Sequence, residues 1–356
     1  MQTTYNDFKI NLESLLLSYY IKYDVLLKLN QQIDAPPDTQ FVDVYIDLFD
    51  MLKRVYGTNV YANKKFLIVS SIINLAAHIR GYYLSRHRIW ARIYLVYANE
   101  STNNHRQFVP SFNTNDKTET LNYQETNNFI QSQLELAKIL CAYINDVYLV
   151  RKHTDFSMFT YTNILKHPDS ISIILTRSKY VYQIPALVKN AYIFRPRKYN
   201  GEDTSIIITN KNVIFSYYNK INKESILQEF SIINPGMLSL LMCFTGVSDK
   251  NVKSIANITK ATKIISYAIR SNRIINGYNS DTSYLYAVLE GLSNIIDSTS
   301  FEYRFKAIDI VYQSLIYNQQ IESLDESWNI NLKDIKTFQE ISNKYFIDNP
   351  LDVNNL

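Results

Sequence analysis

Apolar residues return at helical spacing across residues 5–30 (Phe8, Leu12, Leu15, Leu16, Tyr19, Tyr23, Leu26, Leu27), which predicts an amphipathic helix. Ala35-Pro36-Pro37-Asp38 closes it, because proline has no amide to continue the helical ladder. The period then shortens. Phe41 to Ile46 is a compact apolar run read as a strand, with Asp47 at its carboxyl end. Asp50–Tyr56 and Lys64–Ser85 return to helical spacing, and Ala91–Tyr97 reads as a second buried strand. Asn99–Glu125 is polar and rich in Asn and Thr, a long loop. Asn127–Ile144 is read as a helix, Val147–Val150 as a strand, Phe156–Lys166 as a helix and His167-Pro168-Asp169 as a turn. Ile171–Leu175 and Tyr192–Phe194 are further strands. Ser205–Ile208 and Val213–Tyr217 flank Thr209-Asn210-Lys211-Asn212 and are expected to pair as a hairpin. From Ser225 onward the pattern is almost wholly helical, with an apolar stripe over 301–320 (Phe301, Phe305, Ile308, Val311, Leu315) read as core-facing.

Strands alternating with helices predict an α/β fold, a mostly parallel central sheet covered by helices on both faces, followed by a helical C-terminal part. The expected division is an N-terminal helix over 1–38, an α/β core over 39–224 and a helical region over 225–356. In such sheets function gathers at the carboxyl ends of the strands, where Asp47, Asn99, Asp155 and the Arg177-Ser178 turn fall. Asp43 and Asp50 read as ordinary surface acids.

The 356 residues, 46% hydrophobic, suffice for a large core. No apolar run of about 18 residues is present, so no membrane span is expected. The N-terminus lacks a signal-peptide core. Cys141 and Cys243 sit in apolar helical contexts and read as core thiols of a reducing compartment, which points to the cytoplasm. Tyr is abundant (29), Gly scarce (7), and Asn, Ile and Lys are plentiful. These residues are favoured by A/T-rich codons, so a phage or other virus is the expected source, with host cytoplasm or virion as the location.

A net charge of +4 excludes a chain that is basic throughout. Lys250, Lys253, Lys260, Lys263, Arg270 and Arg273 nevertheless follow one another without an intervening acid. Such a patch can engage phosphates, although a solvated helix face accounts for it equally well. His78, Arg80, Arg86, His87, Arg88 and Arg92 lie beside Tyr82, Tyr83 and Trp90, a mix that suits nucleic acid. A helix end carrying core aromatics is the simpler reading.

Four segments over residues 41–275 together resemble the 5′-nuclease family of flap endonucleases and polymerase-associated 5′–3′ exonucleases. The first is Tyr45-Ile46-Asp47 through Arg54-Val55-Tyr56, where the family has a strand, a metal-binding Asp and a helix bearing an Arg. Asp47 and Arg54 match. The second is Leu95-Val96-Tyr97-Ala98-Asn99, in which Asn99 stands for the family's Asp and Arg106 keeps the family's interval to the next Arg. The third sets His153-Thr154-Asp155-Phe156 against Glu-Ala-Asp-Asp, and Thr176-Arg177-Ser178-Lys179-Tyr180 against Thr-x-Asp-Lys-Asp. Gln183 meets a Gln common after it. The fourth is Thr245 to Thr262, where Gly246 and Asn251 match while Val247 and Lys250 replace two aspartates. Asn257 and Thr259 replace the glycines of a helix–three-turn–helix expected over 245–275.

The resemblance implies a PIN-like core and metal-dependent phosphodiester chemistry. Two-metal hydrolysis needs converging carboxylates to hold two hard cations. Of the matched positions only Asp47 and Asp155 remain acidic, so they are the residual catalytic and metal candidates, and no cofactor is expected. The reading is a catalytically inactive 5′-nuclease relative that binds duplex or branched DNA, or a replication or virion partner. Lys250, Lys253, Lys260, Lys263, Arg106 and Arg54 are the nucleic-acid contacts. The loop 99–125 is expected to lack the family's threading function. Two alternatives stay open: an active divergent nuclease using Mg²⁺ or Mn²⁺, and a viral structural or assembly protein. The two amphipathic ends and a Tyr-rich surface favour the last.

Overall fold

The computed structural model describes residues 41–49, 89–98, 103–112, 131, 134, 146–152, 155–195, 198–199, 202–203, 206–218, 224–276, 290, 292 and 297–321. The expected helices 5–30, Asp50–Tyr56 and Lys64–Ser85, most of Asn127–Ile144, and Arg54, Asn99, Cys141 and His153 lie outside these residues.

β1 (Phe41–Asp47) and β2 (Trp90–Ala98) are the apolar runs read from the sequence. A short helical turn, α1 (Asn103–Arg106), follows, then β3 (Val147–Lys152), α2 (Phe156–Lys166) and β4 (Ile171–Leu175). Next come α3 (Gln183–Leu187), β5 (Ala191–Arg195), the small pair β6 (Lys198–Tyr199) and β7 (Glu202–Asp203), and β8 (Ile206–Ile208). The sheet order is β3-β2-β1-β4-β5-β8. All neighbours are parallel except β5 with β8. Val42 to Ile46 are all fully buried, so positions of both parities on β1 are shielded and both faces of the sheet are covered.

One face carries Tyr45, Tyr94 and Tyr148 in a single cross-strand register. Their rings stack at centroid distances of 5.0 and 5.1 Å. α2 lies over them, setting Phe159 edge-on to Tyr45 and donating from Asn163 Nδ2 to the Tyr45 hydroxyl at 3.0 Å. Tyrosine therefore fills the core here and is not merely a surface residue.

The hairpin expected across 205–217 does not form. Ile206–Ile208 is a strand, but it pairs antiparallel with β5, and Val213–Tyr217 is a helix, α4. Asn212 explains the turn: its Oδ1 accepts from the Thr209 amide at 2.8 Å and its Nδ2 donates to Ile207 O at 2.9 Å. The chain coils there, and helical spacing lets Val213, Ile214 and Tyr217 all point inward. Burial outweighs the β propensity of these residues.

The C-terminal part contains α5 (Glu224–Ile232), α6 (Leu238–Thr245), α7 (Ile258–Arg270), α8 (Ser298–Ile308) and α9 (Ile310–Ile321). The helix expected over 301–320 is broken at Asp309, whose Oδ1 accepts from the Tyr312 amide at 2.8 Å. Gln183 braces the break. Its amide donates to Ile308 O and accepts from Ile310 N, each at 3.0 Å.

Asp43 is not a surface acid. It is fully buried near the amino end of β1, held by the Arg92 guanidinium through paired bonds of 2.6 and 2.8 Å. Arg92 also donates to Ser170 Oγ at 2.9 Å, and His167 Nδ1 lies 3.6 Å from Asp43 Oδ2. Arg92 is thereby committed to the core.

Candidate functional site at the carboxyl edge of the sheet

Asp47 ends β1, half-buried, and its Oδ2 accepts from Thr176 Oγ1 at 3.1 Å. Thr176 directly follows β4, and its Oγ1 in turn accepts from the Ser178 amide at 3.1 Å. The β4 exit thus turns its hydroxyl toward Asp47, with the Ser178 amide bonded behind it.

Asp155 follows β3 and caps the N-terminus of α2. Its Oδ1 accepts from the Ser157 amide at 2.7 Å and from the Ser157 hydroxyl. Such a cap satisfies one of the free amides at a helix start. The carboxylate is only 6% exposed, and Oδ2 is buried without a hydrogen bond. His105 Nε2 lies 3.7 Å from it, too far for a hydrogen bond. His105 comes from α1, is 2% exposed, and its Nδ1 lies 2.8 Å from Ala307 O. A carbonyl only accepts, so Nδ1 carries the proton and Nε2 turns a lone pair toward Asp155.

Lys250 completes the cluster. It is 5% exposed, and its Nζ lies 5.7 Å from the Tyr180 ring centroid and 6.0 Å from that of Phe112. The same two rings flank His105, stacked on Phe112 at 4.2 Å and edge-on to Tyr180 at 5.9 Å. Two aromatic walls therefore enclose a carboxylate, an imidazole and an ammonium.

Burial acts on both titrating groups. It would raise the Asp155 carboxyl, but the Lys250 and His105 charges and the Ser157 donors outweigh it and hold Asp155 below the ordinary carboxylate range. Burial lowers the His105 imidazole; Asp155 and Ala307 pull it back up only in part. At neutral pH the cluster is a carboxylate–ammonium pair beside a neutral imidazole.

The donor set does not fit the pair of divalent ions that the family resemblance implies. Two close hard cations need several converging carboxylates. Here Asp155 spends one oxygen on Ser157, Asp47 is bonded to Thr176, and a buried ammonium shares the Asp155 pocket. Phe156 and Tyr180 are buried core side chains, and Val247 is fully buried. Among the described residues no group of three or more His, Cys, Asp and Glu could hold a metal ion.

The segment matched to the helix–three-turn–helix is a turn between two helices, α6 and α7. Gly246 ends α6 at φ 73°, and a Cβ there would lie 2.3 Å from Val252 O, so glycine alone fits. Val247 and Val252 bridge across the turn, with Asn251 left-handed at φ 53°. Asn257 caps α7, its Oδ1 accepting from the Lys260 amide at 2.9 Å. Arg304 on α8 straps the turn, Nε donating to Cys243 O at 2.9 Å and Nη2 to Lys253 O at 2.5 Å.

The expected nucleic-acid contacts divide. Lys253, Lys260 and Lys263 are exposed, as are Arg270 and Arg273. Lys260, Lys263, Tyr267 and Arg270 recur at helical spacing along one face of α7. Tyr267 is 55% exposed with the Arg273 guanidinium 5.5 Å from its ring centroid, and Arg270 pairs with Glu229 at 3.0 Å. Arg106 is exposed at the surface, bonded to Phe112 O at 3.0 Å. Lys250 differs from them: it is 5% exposed and set against the Tyr180 and Phe112 rings. The loop 99–125 is also not uniform, because α1 and the segment through Phe112 pack against the core. His105 was missed by the sequence reading. Its only local signal is Phe108, Val109 and Phe112 within a polar stretch.

No protein-family model and no curated protein matches the chain. Solved structures do. The T5 D15 protein crystallised with metal ions superposes with a TM-score of 0.50 at 11% identity, covering 78% of this chain and 92% of that one. A pseudo-enzyme–product complex of the bacteriophage T5 D15 flap endonuclease with DNA and metal ions gives 0.48 at 9% identity, covering 78% and 91%. Human GEN1 in complex with Holliday junction DNA gives 0.43 at 12% identity, covering 92% and 72%.

Proposed function

We propose that this chain, which has the fold of the 5′-nucleases, is a nucleic-acid-binding protein that has given up metal-dependent cleavage. The observation that carries the proposal is the buried Asp155–His105–Lys250 cluster at the carboxyl edge. A carboxylate already neutralised by a covalently tethered ammonium has little attraction left for an ion that sheds its water reluctantly. Binding would instead use the exposed face of α7 and the turn before it. Lys253, Lys260, Lys263, Arg270 and Arg273 supply phosphate contacts, and Tyr267 offers a ring on which a base or sugar can rest. These contacts would be to the backbone and read no sequence, and the partner proposed is duplex or branched DNA.

The test has two arms. Incubation of flap and nicked duplexes with the protein and Mg²⁺ or Mn²⁺ is expected to give no product. Turnover abolished by Asp155→Ala would establish the active alternative. Titration of the same duplexes at increasing salt is expected to show affinity falling steeply, with Lys260→Ala and Lys263→Ala each reducing the log–log slope by about one. Salt-insensitive binding, or none, sinks the binding half.

A further inference from the structure

We infer that Arg304 forms a phosphate-binding site where α8 meets the turn between α6 and α7, the outer fork of its guanidinium taking the oxyanion. The inference deepens the proposed nucleic-acid binding and rests on it only for the source of the phosphate, the DNA backbone. Three features carry it.

The first is the way the guanidinium is held. Nε and Nη2 share one edge of the planar group, and that edge is spent on the turn, Nε on Cys243 O at 2.9 Å and Nη2 on Lys253 O at 2.5 Å. The outer edge, Nη1 with the second proton of Nη2, makes no hydrogen bond among the described residues and lies at the exposed end of the side chain. The second is charge. Arg92 sets the same edge against a carboxylate, Asp43, and is neutralised. Arg304 sets it against two carbonyls, which leave its positive charge in place. Glu302, the nearest acid along α8, pairs with Lys306 at 2.5 Å, and no carboxylate among the described residues pairs with Arg304. The third is rigidity. Phe244 O accepts from the Ile255 and Ala256 amides at 2.8 and 3.0 Å, which fixes the limb that carries Lys253 O. The Phe301 ring meets that of Phe244 at 4.9 Å and seats α8 on α6.

The chemical class follows from the fork. Two parallel N–H groups match two oxygens of a phosphate, and a guanidinium already oriented loses little freedom on binding them. Lys253, exposed on the same turn, brings a second cation to that side of the molecule. Arg304 thus straps the turn with one edge and offers the other to an anion, a contact that α7 alone does not supply.

The experiment titrates inorganic pyrophosphate into the full-length chain at constant ionic strength and follows melting. The natural chain should show a saturable rise, on the order of 3 °C at a hundredfold excess over Kd. Arg304→Gln should lose it and keep only the unsaturable stabilisation that any excluded anion gives. No saturable rise in the natural chain, or an equal one in Arg304→Gln, overturns the inference. If Arg304→Gln does not fold, Arg304→Lys decides, since it keeps the charge but not the fork. Its rise should saturate at pyrophosphate concentrations on the order of ten times higher, and unchanged saturation overturns the inference. A second arm measures duplex DNA binding against salt, where the same Arg304 variant that folds is compared with Lys260→Ala. Arg304→Gln should lower the log–log slope by about one, and Arg304→Lys should restore it. A slope lowered by Lys260→Ala but not by Arg304→Gln overturns the inference and leaves the proposed binding standing. An Arg304-dependent pyrophosphate rise without any duplex binding does the reverse: the phosphate site stands and the proposed binding falls.

Discussion

At the amino end of the sheet Asp43 meets Arg92, His167 and Ser170; at the carboxyl end Asp155 meets Lys250, His105 and Ser157. Both sets hold a buried carboxylate, a cation, an imidazole and a hydroxyl. They differ in how the carboxylate is satisfied. Asp43 uses both oxygens in a planar fork with a guanidinium, a geometry that combines charge with directed hydrogen bonds. Asp155 uses one oxygen on a helix cap and leaves the other facing an imidazole lone pair. The first arrangement fastens β1 to β2 and to the turn before β4. The second leaves a buried carboxylate oxygen without a hydrogen bond. The lesson is that two clusters of the same residue types can differ in how fully the buried carboxylate is hydrogen-bonded.

The largest expected effect lies at the amino end. Asp43→Ala leaves Arg92 without its fork and should cost about 3–5 kcal/mol, read by urea denaturation. A loss below about 1 kcal/mol would mean that the two clusters are energetically alike. Next is a pair of neutralising double variants. Asp155→Asn with Lys250→Met should fall within about 1 kcal/mol of the natural chain, because a poorly satisfied ion pair offsets little more than its own desolvation. Asp43→Asn with Arg92→Met should lose about 2 kcal/mol or more, since directed charge-assisted bonds disappear. Equal losses would erase the contrast.

The imidazoles sharpen it further. Burial holds both His105 and His167 below the ordinary value of about 6.5, His105 at 2% exposure and His167 at 30%. A histidine with a depressed folded pKa binds its proton first in the unfolded chain. Its contribution is therefore intact above pH about 6.5 and is lost as pH falls below that value. Stability should decline through that range. His105→Gln should flatten the decline more than His167→Gln does, and the reverse order would place the stronger desolvation at the wrong end. The smallest effect is Ser170→Ala, at most about 1 kcal/mol by the same denaturation, because Arg92 keeps its fork.

Much of this molecule was legible beforehand. Phe156–Lys166 and Ile171–Leu175 have the bounds read from the apolar pattern, because each is a short run between a capping or turn residue on either side. Asp47 and Asp155 were legible as strand-end acids, and Lys250 as a cation in an acid's place. Burial was not. Nothing near Lys250 in the sequence tells that Phe112 and Tyr180 enclose it, and nothing near His105 foretells a carbonyl from Ala307. Asp43 was misjudged for the same reason, since its partner is set by strand register and not by sequence neighbours. The missing information was long-range in every case. Where a local pattern misled, at Val213–Tyr217, the cause was packing that reversed an intrinsic preference.

The stacked tyrosines across β1, β2 and β3 have an optical consequence. Burial first, then the nearby Asp43 charge, pushes Tyr45 well above its ordinary value and Tyr94 up to about 12. Tyr148 is raised as well, by burial and then by its bond to Asp146. In an alkaline absorbance titration these phenols stay silent past the ordinary tyrosine range and ionise when the sheet comes apart. Rings held face to face at 5.0 and 5.1 Å also couple their electronic transitions, so the near-ultraviolet dichroism of this chain reports on strand registry. The molecule carries its own unlabelled gauge of whether the central sheet is intact.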